Sequence, residues 1–270
     1  MLCTYFLWPG SRVLAQLLRP ITAGYRGSGA YSINQSDVFS FTINQASLAQ
    51  LKYPSAGIHG ERKFLIKELN LYHIVVGLPT RSGNFGLKGI YYGFSDYNQS
   101  QIGLAYARKL GSKIDIGLQF DYTSIGITGY GNATGINFEL GTVFHLTGKL
   151  HTGLHAYNPV GGKIGKGQKE KLASVYTFGM GYDASDLFFV SAEVEKEEAQ
   201  PININIGLQY KFLPRFLSTV GIGTSTSTAF IGFGLEWNNL RCHITTSYHP
   251  QLGITPGLLL MYTRQPAREG

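Results

Sequence analysis

The chain has 270 residues, including 35 glycines, 17 tyrosines and 16 phenylalanines, and only 14% of its residues are charged. Glycine stands at about twice its usual share and charge well below the usual ~25%, which with 43% hydrophobic residues excludes a disordered acidic or basic tail protein. No run reaches the ~18 apolar residues of a membrane helix, and Cys3 and Cys242 build neither a disulfide framework nor a thiolate zinc site.

Residues 1–15 open with the apolar run Leu2–Trp8, then Pro9-Gly10-Ser11 and Val13-Leu14-Ala15. This reads as a signal peptide with a cut near Ala15-Gln16, shortened because no Lys or Arg precedes the apolar run. Residues 16–54 are polar and Gly/Ser-rich and lack a clear period. Their hydrophobes Val38, Phe39, Phe41, Ile43, Leu48 and Leu51 need packing, so this segment is expected to be a hatch or plug rather than a free tail.

Residues 55–263 fall into about fourteen segments of period-two alternation. They start near Ser55, Leu69, Asn84, Ser100, Lys113, Thr134, Lys149, Leu172, Leu187, Ile202, Phe216, Thr228, Leu240 and Ile254. From Ile202 to Lys211, Ile202, Ile204, Ile206, Leu208 and Tyr210 share one face, and Asn203, Asn205, Gly207, Gln209 and Lys211 share the other. Residues 264–270 form a C-terminal tail. Short turns follow the even-numbered strands, as at Leu110-Gly-Ser, Leu146-Thr-Gly and Asn238-Asn239. Longer loops follow the odd-numbered ones, as at Ile125–Ala133, Asn158–Lys171 and Lys196–Pro201. That asymmetry predicts an all-β fold, a transmembrane antiparallel β-barrel with short periplasmic turns and longer outer loops.

A soluble sandwich also alternates, so two further observations separate the cases. The polar face carries Gly, Asn, Gln, Ser and Thr rather than the Lys and Glu of a solvated exterior. Aromatics (Phe144, Tyr182, Tyr210, Trp237 and Tyr262) end the apolar rows before the short turns, as in an interfacial girdle. With lipid on the apolar face, the lumen receives Asp115, Gln119, Asp121, Asn137, Glu139, His145, His151, His155, Glu193, Glu195, Asn203, Asn205, Gln209, Glu236, Arg241 and His243.

Catalytic and cofactor patterns fail on spacing. His151 and His155 lie roughly 13 Å apart along a strand, too far to share a metal. His145 and His151 flank one turn and are expected to be a satisfied lumenal pair. Gly161-Gly-Lys-Ile-Gly-Lys-Gly-Gln-Lys169 lacks the phosphate-loop spacing and a following helix, so it reads as a flexible basic loop. No nucleophile–base set can be placed; no enzyme, cofactor or metal is expected. The basic residues follow no aromatic-lined strand or helix, so nucleic acid is not an expected partner. The loop lysines Lys163, Lys166, Lys169 and Lys171 suit a phosphate-bearing surface of outer-membrane lipid and lipopolysaccharide.

Several stretches carry a family resemblance. Gly24-Tyr-Arg-Gly-Ser-Gly-Ala30, Ser36-Asp37-Val38-Phe39 and the run Asn44, Gln45, Ala46, Ser47, Leu48, Ala49 resemble the N-terminal signature of the PorV/PorQ branch of FadL-like outer-membrane proteins. Gly77-Leu-Pro-Thr80, Ala156-Tyr-Asn-Pro159 and Ser247-Tyr-His-Pro-Gln-Leu-Gly253 extend the likeness. It implies a fourteen-stranded barrel with an N-terminal hatch in the outer membrane of a Gram-negative-type cell. It further implies an accessory or secretion-associated barrel with a type IX secretion partner, or a passive transporter with a hydrophobic small ligand. Gln45 and Ser47 stand where the family more often has Pro and Gly.

Overall fold

The computed structural model describes Tyr25 and residues 30–165, 170–224 and 228–264. The expected leader, most of the Gly24–Ala30 motif and residues 265–270 lie outside the described residues. Sixteen strands form in chain order: β1 Ser55–Arg62, β2 Asn70–Thr80, β3 Gly83–Gly93, β4 Tyr97–Leu110, β5 Ile114–Ile127, β6 Gly131–His145 and β7 Leu150–Tyr157, then a small hairpin of β8 Lys163–Ile164 and β9 Glu170–Lys171. β10 Val175–Asp183, β11 Phe188–Glu197, β12 Ile202–Leu213, β13 Phe216–Gly223, β14 Thr228–Trp237, β15 Leu240–His249 and β16 Gly253–Thr263 complete the series.

Apart from β8 and β9, each strand pairs antiparallel with its chain neighbours, and β1 pairs with both β2 and β16. The result is a closed barrel of fourteen strands, with starts within three residues of those read from the alternation. Closure leaves no unpaired edge, which is what a sheet in hydrocarbon requires.

Burial follows the pleat. On β5, Asp115, Gln119 and Asp121 are buried while Ile116, Leu118, Phe120 and Tyr122 are exposed. The same inversion recurs around the ring, with Ile102, Ile136, Phe233 and Ile244 each more than half exposed. A continuous apolar belt on a closed wall far exceeds the patches that soluble proteins tolerate. Tyr182, Tyr210, Trp237 and Tyr262 are exposed on the outer face toward the short-turn rim. A closed barrel with this exterior belongs in an outer membrane. Leu118→Arg or Ile204→Arg should therefore destabilise the barrel by about 2–4 kcal/mol near mid-bilayer, measured by refolding titration in lipid. Changes that cost nothing would return the apolar face to a soluble setting.

The connections need two corrections. Ile125–Ala133 is not a long loop: β5 and β6 run on to Ile127 and from Gly131, leaving a three-residue turn. Nor is Asn158–Lys171 a wholly open loop. Its hairpin pairs Ile164 with Gly135 of β6, and Ile164 and Leu172 are buried with Tyr157 and Val175 against Ile125 and Ala133. On the opposite rim, Gly111 (φ 72°) and Asn238 (φ 52°) take the left-handed backbone that tight turns require.

Candidate functional site

Among the described residues, most buried polar side chains face the barrel interior, and residues 31–51 pack within it. Within them, Gln45–Gln50 form a 3-10 turn capped by Asn44, whose side-chain oxygen accepts from the Ala46 N–H at 3.1 Å. The same side chain uses its nitrogen to donate to Thr142 O and Leu154 O at 3.2 and 3.1 Å, fixing the turn to β6 and β7. From β3, Asn84 Nδ2 donates to Leu48 O at 2.8 Å and Leu51 O at 2.9 Å. Val38, Phe39, Phe41, Ile43 and Leu48 form one buried cluster with Val75, Leu259 and Met261 of the wall.

Glycine makes this close approach possible. A Cβ on Gly117 would collide with the Gln45 backbone, one on Gly141 with Asn44, and one on Gly179 with the Tyr31 ring. The lumenal glycines are thus a smooth wall against which backbone and rings lie.

The sequence-derived lumenal residues sort into groups. Asp121, Asn137, Glu139, Gln119 and His155 meet at the centre. Gln119 Nε2 donates to Asp121 Oδ1 and Glu139 Oε1 at 2.9 and 2.7 Å, Asn137 Nδ2 to Asp121 Oδ2 at 3.2 Å, and His155 Nε2 lies 3.0 Å from Glu139 Oε2. Gln45 Nε2 completes this group from the segment, donating to Glu139 Oε2 at 2.6 Å. Asp115 pairs with His145 at 2.9 Å. Asn205 bonds Glu193 at 2.9 Å and receives a bond from Asn203 at 3.2 Å. Glu236 pairs with Arg241 at 2.6 Å, and His243 reaches Thr219 at 3.3 Å.

Sequence reasoning missed the cation that holds the centre. Lys88 Nζ, buried on β3, lies 2.9 Å from Glu139 and 3.1 Å from Asp121. The signal was present, since Lys88 stands between outward Leu87 and Gly89 in a clear alternation. Asp37 was also missed. It accepts from Arg241 Nη1 at 2.8 Å and from the Tyr25 hydroxyl, tying the segment to β15. Burial pushes the Asp37 carboxyl up, and the Arg241 guanidinium opposes that shift.

These contacts leave little free space. Between the segment and the outer half of the lumen lies a cavity of about 30 Å³, lined by Thr42, Ile43, His73, Lys88, Glu139 and His155 among others. Benzene occupies cavities of roughly 150 Å³, so this cavity suits water-sized occupants. Among the described residues, no group of three or more His, Cys, Asp or Glu side chains could hold a metal ion.

Comparison with solved structures places this closed, apolar-walled ring. The fold is similar to that of solved outer-membrane barrels, a FadL homologue among them. The CymD monoaromatic hydrocarbon channel matches with a TM-score of 0.64 at 11% identity, over 88% of this chain and 95% of that one. The Pseudomonas putida toluene transporter TodX matches at 0.61 and 11% identity, over 90% and 99%. A Pseudomonas aeruginosa FadL homologue matches at 0.58 and 11% identity, over 89% and 97%. At such identities the likeness is one of architecture. No protein-family model matches the chain, and the search of curated proteins found no match. By name, CymD is a channel and TodX a transporter.

Proposed function

We propose that this chain is a passive outer-membrane channel for small molecules, and that residues 31–53 are its plug. The observation that carries this reading is the way the segment is held. It rests on glycines of the wall and is tied by side-chain hydrogen bonds to strands around the ring. Such contacts can be exchanged for water without repacking the barrel itself.

Gly117→Val tests this at one atom. The valine suits a strand but would strike the Gln45 backbone, so the barrel should still fold while the plug sits badly. Solute flux into liposomes should rise several-fold over the unaltered protein. Unchanged flux from a correctly folded variant would show that the segment does not limit passage.

A second reading draws on the polar lining and small cavity, neither of which resembles an apolar path. They favour an accessory barrel of PorV/PorQ type that supports a secretion partner and conducts nothing. The two readings separate on whether the barrel conducts once the plug is gone.

A further inference from the structure

Most glycines inside the strands face the lumen. Gly60 of β1 and Gly89 of β3 do not. His59 before Gly60, and Lys88 and Ile90 on either side of Gly89, are buried, so the alternation turns both glycines toward lipid. The register sets what surrounds them. Gly60 lies between Leu258 of β16 and Tyr72 of β2, and Gly89 between Ile74 of β2 and Ile102 of β4. These four neighbours are exposed on the outer face.

Where the two glycines withhold side chains, a hollow of about 550 Å³ opens in the apolar belt. That volume falls within the ~300–1,000 Å³ of small-ligand sites. Close packing does not demand glycine at Gly60, where an added Cβ would meet nothing nearer than the Tyr72 ring at 3.7 Å. At Gly89 a Cβ would touch only the end of the Ile74 side chain.

The hollow has a charged end. Arg62 lies two residues beyond Gly60 on the same outward row, roughly 7 Å along the strand. Its Nε donates to Asn70 Oδ1 of β2 at 3.2 Å. The adjacent carboxylate, Glu61, turns inward, 3.9 Å from His59 and with its side chain 8% exposed. Lys63 lies over the Tyr92 ring at 5.5 Å, and the exposed Lys67 and Glu68 offset each other in charge. Tyr72 pairs with Tyr91 on the outer face, and such amphipathic rings rest where hydrocarbon meets headgroups. Arg62 therefore stands at headgroup level, with Ile74 and Ile102 in hydrocarbon.

The β1–β2 loop agrees with that level. Phe64 and Leu65 take left-handed backbone (φ 54° and 60°), and the Phe64 N–H donates to Thr255 Oγ1 at 3.0 Å. Leu65 and Ile66 are left exposed between Lys63 and Lys67, an arrangement suited to the boundary of headgroups and acyl chains.

We propose that this face, from β16 to β4, binds one lipid A-type glycolipid of the outer leaflet. An acyl chain fills the hollow over Gly60 and Gly89, and a phosphate meets Arg62. The planar guanidinium offers paired N–H donors to phosphate oxygens, while Asn70 holds its Nε. A soluble anion would leave the hollow empty, and an uncharged chain would leave Arg62 unanswered. The site does not depend on whether the barrel conducts.

Native mass spectrometry of the full chain in detergent micelles, titrated with lipid A, tests this. The unaltered protein should retain one lipid A. Arg62→Gln should weaken retention about tenfold, as expected for one lost charge-assisted pair. Gly60→Leu fills the hollow and should weaken retention about fivefold, and Gly89→Leu repeats the test at the other glycine. Both leucines suit a lipid-facing strand, so heat-dependent gel mobility should still report folded barrels. Arg108→Gln, on the short-turn rim, should bind as the parent does. Inorganic phosphate should not compete, and equimolar phosphatidylglycerol should displace little. Unchanged retention in Arg62→Gln, or in both glycine variants, overturns the site. Equal loss in Arg108→Gln reduces it to non-specific charge and overturns it too. Phosphatidylglycerol that displaces lipid A one for one overturns the glycolipid, and dimers in place of the adduct give the face to a second copy instead.

Discussion

Deleting residues 16–53 should turn a nearly silent barrel into an open pore, with single-channel conductance at least about tenfold higher in planar bilayers. A fourteen-stranded ring lies between the filled eight-stranded barrels and the ~16–18-stranded porins, so its lumen is wide enough to carry water once emptied. The strands themselves should persist, because their ladder is complete without the segment. What the deletion removes is the buried cluster of Val38, Phe39, Phe41 and Leu48, together with the Gln45–Glu139 bond. Water can replace the hydrogen bond, while Val75, Leu259 and Met261 of the wall lose their apolar cover. A deleted barrel that folds and still conducts nothing would favour the accessory reading.

Lys88→Met should be the most damaging single change in the wall, costing about 3–5 kcal/mol. Lys88 is 5% exposed and sits between Asp121 and Glu139. Its removal leaves two buried carboxylates facing each other with only neutral donors and His155 around them. Adding Asp121→Asn should recover part of the loss, since one negative charge is then gone and the amide can donate to Glu139. Equilibrium unfolding in lipid measures both variants. A single variant as stable as the parent would mean that water, not Lys88, neutralises this centre.

The wall was legible because its two faces meet opposite solvents. Wherever one face meets lipid and the other the lumen, as from Ile114 to Tyr122, the period of two is unbroken. Beyond the lipid belt both faces meet water and the pattern fades. That is why Ile125–Ile127 and Gly131–Ala133 read as loop when they are strand. The Asn158–Lys171 stretch misled for a different reason: its glycines and lysines outweigh Ile164, which with Leu172 just beyond it turns the stretch inward. Within the site, alternation gave the face of each side chain but not its partner. Glu139 meets Lys88 from three strands away, and such a contact depends on register and lumen width. The segment was hardest to read, since its turns obey the shape of the cavity and no period of their own.

The seam between β1 and β16 sets the order of assembly. Ser55 meets Thr263 across 208 positions of chain, the most distant pairing in the ring. Such a join carries a large closure entropy and forms after local hairpins have already zipped. The segment that fills the interior directly precedes β1, so it is tethered to one lip of that seam. It has to be inside, or at the mouth, when the lips meet. An interior loaded late would have to thread a finished ring through its turn-side opening. Loading during closure needs no such passage, and it makes the β1–β16 join the one that seals the contents in.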